Sequence, residues 1–114
     1  MIIKVIENFK KEFEKDRSIL RAIEQGKYVK PQQKTLYFTP KTFYSTFTPE
    51  RIRLIQLLRE HKNLNISEVA KMIKRPFESI HRDIRFLEGL GLIQIKKMNR
   101  YRIPVAIKKV NFDI

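Results

Sequence analysis

Three helical apolar patterns, a tight turn between the second and third, and a basic-tipped pair of β-prone segments predict the fold class: mainly α with a small β-hairpin wing. The third helix, expected over residues 76–90, carries the most informative pattern. At about 100° per residue, Phe77, Ile80, Ile84, Leu87 and the following Gly91 fall in one narrow sector. The other side collects Arg75, just before the helix, then Glu78, Ser79, Arg82 and Arg85, with His81 at its edge. Phe86 is the exception, an aromatic ring projecting from the polar side.

The elements follow in chain order. Ile6, Phe9, Phe13, Leu20 and Ile23 keep a 3-4 spacing interrupted only by Asp16, which predicts a helix over residues 4–25 with Gly26 as its stop. Two readings of this arm stand. The stripe packs on its own domain, or it meets its symmetry mate, making these five residues the dimerisation contacts of a homodimer. Residues 26–34 read as a connector held extended by Pro31. Thr35-Leu36-Tyr37-Phe38 is β-prone. Residues 40–47 form a short helical turn rich in rings, Phe43, Tyr44 and Phe47, read as core material.

Thr48-Pro49-Glu50-Arg51 is a helix start, with a capping threonine, proline at the first position and an acid in the first turn. That helix is expected to reach Glu60 and to bury Ile52, Ile55 and Leu58, with Leu54 and Leu57 widening the apolar face. Asn63 ends it. Asn65-Ile66-Ser67-Glu68 is a second start in which Asn65 caps and Glu68 returns the bond. The short helix runs to Lys74 and buries Val69, Ala70 and Ile73. Lys74-Arg75 is the turn, Pro76 opens the third helix, and Gly89 and Gly91 bracket its end. Residues 92–95 lead to a tip at 96–100, residues 101–103 return, Pro104 closes the hairpin, and a last strand is expected over 106–113. The division expected is an arm and connector, 1–47, and a domain, 48–114.

The net charge of +13 on 114 residues is spread along the chain, with no basic tail, so a folded polyanion binder is expected. No stretch nears the roughly 20 apolar residues of a membrane span, and the start lacks a signal-peptide pattern, so no membrane partner and a cytoplasmic location are expected. Without cysteine there are no disulfides, thiolate metal sites or Cys nucleophiles. His61 and His81 sit on different helices without an acid pair at ligand spacing, and the three glycines form no phosphate loop. An enzyme, a metal and a cofactor are therefore not expected.

A short helix across the phosphates, a turn, and a longer helix with an outward polar face suit double-stranded DNA, and with the hairpin they make a winged helix-turn-helix. Arg82 and Arg85 are the candidates for bidentate guanine or close phosphate contacts. Ser79 and His81 are placed to read base edges, and Glu78 either accepts from cytosine or favours the helix N-terminus. Lys71, Lys74 and Arg75 are candidate phosphate grips. On the wing, Lys96, Lys97, Arg100 and Arg102 are candidates for flanking phosphates or the adjacent minor groove. Asp83 suits a local ion pair, because phosphate repels a carboxylate.

The segment from Ser67 to Ile93, with Ile80-His81-Arg82-Asp83-Ile84 running into Leu87-Glu88-Gly89-Leu90-Gly91-Leu92-Ile93, resembles prokaryotic winged-helix transcriptional regulators of the MarR/ArsR type. More narrowly, Thr48-Pro49-Glu50-Arg51-Ile52-Arg53-Leu54-Ile55 and Ile80-His81-Arg82-Asp83-Ile84 are similar to the "TPxRxxLL" and "VHRDV" pieces of short archaeal and bacterial regulators. The resemblance implies a dimeric DNA-binding repressor. Because some such proteins look like antitoxins, it also implies an alternative: a module that binds a toxin or other partner protein and autoregulates its operon.

Overall fold

The computed structural model describes residues 1–7 and 35–113, which fall in two compact units, Met1–Tyr44 with Val110–Ile114, and Ser45–Lys109. The second unit is a winged helix-turn-helix. It contains helices α2 (Pro49–Glu60), α3 (Ile66–Ile73) and α4 (Phe77–Gly89), then the antiparallel strands β3 (Ile93–Met98) and β4 (Tyr101–Ala106). Helix α1 (Pro40–Thr46) precedes α2 in the chain.

Local chemistry sets these boundaries. The Thr48 side chain accepts from the Arg51 N–H at 3.3 Å, with Pro49 at the first helical position. Asn65 and Glu68 close a full capping box, with bonds of 2.8 and 3.1 Å. Helix α3 stops because Lys74 adopts the left-handed conformation at φ 63°, an uncommon one for a residue with a side chain. Helix α4 ends in a Schellman motif: the Gly91 N–H donates to the Glu88 carbonyl at 2.9 Å and the Leu92 N–H to that of Leu87 at 3.0 Å. Gly91 has φ 82°, so glycine is the residue this turn requires. Gly89 is the last helical residue.

The core joins Leu54 and Leu58 of α2, Val69 and Ile73 of α3, and Ile80, Ile84 and Leu87 of α4 to Leu92, Ile93, Ile103 and Ala106. Burying each large aliphatic side chain contributes about 1.5–3 kcal/mol before entropy is charged. Helix α3 packs on α4, α4 on β3, and α2 on β4.

Within the winged domain the structure differs from expectation at three places. Ile52 is exposed and Ile55 is only half-buried, because the α2 core row is Leu54 and Leu58 and Ile52 points about 160° away from Leu54. Phe77 is 50% exposed: it precedes the buried row, which begins at Ile80, and its ring stacks on His81 at 5.8 Å instead. Pro104 does not close the hairpin. It lies inside β4 opposite Ile95, tolerated because a two-stranded ribbon leaves one side of each strand unpaired. Both strands run to a two-residue tip, Asn99 and Arg100, with Asn99 at φ 58°.

The first unit has a feature absent from the sequence expectation. Strand β1 (Ile2–Val5) lies at the centre of a three-stranded parallel sheet, between β2 (Thr35–Phe38) and β5 (Asn111–Asp113). The last strand, expected over 106–113, is thus shortened to Asn111–Asp113 and pairs with β1. The predicted helix over 4–25 does not begin at Lys4, because the β-branched run Ile2-Ile3-Lys4-Val5 favours a strand. Ile6 extends this ladder by donating its N–H to the Phe38 carbonyl at 2.8 Å, so it is not part of a helical stripe. Phe9, Phe13, Leu20, Ile23 and the connector 26–34 lie outside the described residues.

Within this unit Ile3 is fully buried, and Phe43 meets Phe38, Tyr44 and Phe112 edge to face at 6.3, 5.6 and 6.1 Å. Tyr44 is exposed, whereas Phe47 in the other unit is buried. No helix of the described residues is long and apolar enough to cross a membrane.

Candidate nucleic-acid interface

Helix α4 carries two opposed faces. Ile80, Ile84 and Leu87 are fully buried, and Arg82, about 200° round from Ile80, is exposed with no hydrogen bond or ion pair among the described residues. Glu78 and Arg85 flank it on the exposed side, and Ser79 is half-buried beside them. Arg85 donates to Glu88 Oε1 at 3.4 Å, a solvent-exposed pair worth a few tenths of a kcal/mol and readily exchanged for a stronger anion. His81 is half-buried under the Phe77 ring, which limits how its imidazole turns.

Asp83 lies between the buried row and this polar face, 9% exposed. Its two oxygens accept from two arginines, Oδ1 from Arg51 Nε at 3.3 Å and Oδ2 from Arg75 Nη1 at 3.0 Å. Arg51 does more than this. Its Nη1 donates to the carbonyls of Ser45 and Thr46 at 3.3 and 3.0 Å, and its guanidinium carbon stands 4.2 Å over the Phe86 ring. Asp83 is therefore the acceptor that ties α4 to α2 and to the turn before α4. Phe86, the apolar exception on the polar side, is the platform for Arg51. Of the candidate phosphate grips, Lys71 and Lys74 are exposed, while Arg75 is half-buried and engaged with Asp83.

Sequence reasoning gave Arg51 no role at the site. A signal existed: an arginine in the first turn of one helix and an acid in the middle of another are among the ionisable members of the two quoted motifs. Only the fold shows that they face each other.

The four wing cations are all exposed, but the register divides them. Lys97 lies directly opposite Arg102, so two like charges share one side of the ribbon. Lys96 lies opposite Ile103, on the other side. Arg100 at the tip sits 5.6 Å over the Tyr101 ring. Such a face can hold a line of anionic oxygens. Among the described residues no cluster of three or more His, Cys, Asp or Glu could hold a metal ion.

Comparison with known proteins places the domain. The profile of the HVO_A0114 family matches residues 46–111, more than half of the chain. No curated protein matches the sequence. Among solved structures, RV1404 from Mycobacterium tuberculosis superposes with a TM-score of 0.54 at 18% identity, over 59% of this chain and 48% of that one. MepR, a transcription regulator of the Staphylococcus aureus multidrug efflux pump MepA, superposes with a TM-score of 0.54 at 21% identity, over 60% of this chain and 53% of that one. The chain spans about half the length of each, and the likeness is one of fold.

Proposed function

We propose a DNA-binding function for this chain, which belongs to the HVO_A0114 family. It is a sequence-specific regulator of transcription that acts on double-stranded DNA as a homodimeric repressor. The helix over residues 76–90 reads the major groove, and the wing over 96–102 follows the backbone or the adjacent minor groove.

The observation that carries this reading is Arg82. It stands exposed and unpaired among the described residues, on the side of α4 opposite the buried row, with Arg85 and Ser79 beside it. An arginine so placed can make a bidentate contact to guanine O6 and N7. Lys71 and Lys74 grip phosphates, and Lys97, Arg100 and Arg102 do so from the wing, where an anion relieves the repulsion between Lys97 and Arg102. Glu78 and His81 contact base edges at the ends of the same face. Arg75 has a dual place, since it holds Asp83 and borders the groove-facing surface. The net charge of +13 and the fold shared with MepR support the same reading. No observation favours the antitoxin alternative.

The test is an unbiased selection of duplexes bound by the full chain, with light scattering of the selected complex. A recurrent motif with two half-sites, bound by two copies, is expected. Recovery of random sequence would refute specific reading.

A further inference from the structure

Lys96 points away from Lys97 and Arg102, and the side of the hairpin that carries it borders a groove of about 490 Å³ against the C-terminal part of α2 and the loop after it. Leu58, Ile103, Val105 and Ile107 belong to the apolar part of the lining. Arg59, Lys62, Lys96 and Lys108 lie around them, and among the described residues no acidic one lines the groove. Leu58 and Ile103 are almost fully buried, whereas all four cations are exposed. The groove thus joins an apolar floor to a cationic rim.

We propose that this groove binds a small amphipathic organic anion, its apolar body on Leu58, Ile103, Val105 and Ile107 and its carboxylate among Lys62, Lys96 and Lys108. This goes beyond the DNA-binding reading and does not rest on it. Three features select that occupant. The volume falls within the roughly 300–1,000 Å³ of small-molecule sites. Four cations around one cavity, with no acid among the described lining residues, favour a negatively charged group, and a low-dielectric floor strengthens that attraction. An extended peptide is disfavoured, because Pro104 offers no N–H in the middle of β4 and interrupts strand addition at that edge. A bare phosphate backbone leaves the apolar floor unused.

The probe is octanoate, added to the full chain while the methyl resonances of Leu58, Ile103, Val105 and Ile107 are followed by NMR. Saturable shifts at these methyls are expected, with octan-1-ol and acetate each binding at least tenfold more weakly. Lys62→Glu with Lys108→Glu is expected to weaken octanoate at least tenfold while leaving the circular dichroism spectrum unchanged. Val105→Phe, which occupies the groove without changing charge, gives a second reading if the charge variant folds poorly, and it too should abolish the shifts. The proposal is overturned if octanoate leaves these methyls unmoved, if octan-1-ol binds as well, or if neither variant alters binding. It is equally overturned if the same methyls respond only to duplex DNA or to self-association of the chain, which would assign the groove to those partners.

Discussion

Arg51 Nε donates to Asp83 Oδ1 across 3.3 Å, joining the first turn of α2 to the middle of α4. Thirty-two residues separate the two in sequence. The buried row Ile80, Ile84 and Leu87 sets the rotation of α4, and this pairing adds a polar tie on the side between that row and Arg82. The same guanidinium reaches two carbonyls and the Phe86 ring, so it is held from several directions and its partner gains a rigid donor.

Asp83→Ala removes the acceptor shared by Arg51 and Arg75. Hydrogen bonds to charged groups contribute about 1.5–3 kcal/mol, and both arginines keep some access to water, so a loss of about 2 kcal/mol is expected. Urea unfolding reads it. Arg51→Ala should cost at least as much, because the contacts to Ser45, Thr46 and Phe86 go too, and the double variant should cost less than the sum of the single ones. Strict additivity would show that the pair does not couple.

The two glycines at the end of α4 should respond with opposite signs. Nothing lies within 4 Å of a Cβ placed on Gly89, so Gly89→Ala is expected to stabilise by about 0.5–1 kcal/mol through helix propensity. Gly91 has φ 82°, and Gly91→Ala is expected to cost about 1–2 kcal/mol. Thermal unfolding of both variants checks the pair of signs.

Lys97→Ala separates stability from binding. Relief of the like charge opposite Arg102 should leave the domain equally stable or more stable by a few tenths of a kcal/mol. Binding to duplex DNA should weaken at every sequence, and the slope of log affinity against log salt should fall by about 0.9. An unchanged slope would remove the wing from the phosphate contacts.

Asn65→Ala breaks the capping box at the start of α3. A loss of about 1 kcal/mol is expected. Asn65→Asp keeps the acceptor and should retain most of that stability. Equal losses in both variants would argue that the cap does not hold this helix.

Much of the winged domain was legible because its boundaries are written in short-range chemistry. Thr48-Pro49, Asn65 with Glu68, and Gly91 each act within a few residues, and the structure uses all of them as the patterns suggested. Ile80, Ile84 and Leu87 likewise announce the buried side of α4. What escaped depends on distant partners. A strand at Ile2–Val5 needs Thr35–Phe38 and Asn111–Asp113 beside it, and no local pattern reveals a parallel pairing across the length of the chain. Ile52 and Phe77 are apolar residues on helices, but the packed rows are too narrow to include them. The role of Phe86 depended on Arg51 arriving above it.

Whether the exposed side of α4 reads base sequence is tested most directly by the affinity of Arg82→Ala for a selected duplex and for a scrambled one. A bidentate base contact predicts a loss of about 1–3 kcal/mol on the selected duplex, with a much smaller loss on the scrambled one. Equal affinities of variant and wild type for the selected duplex would contradict it.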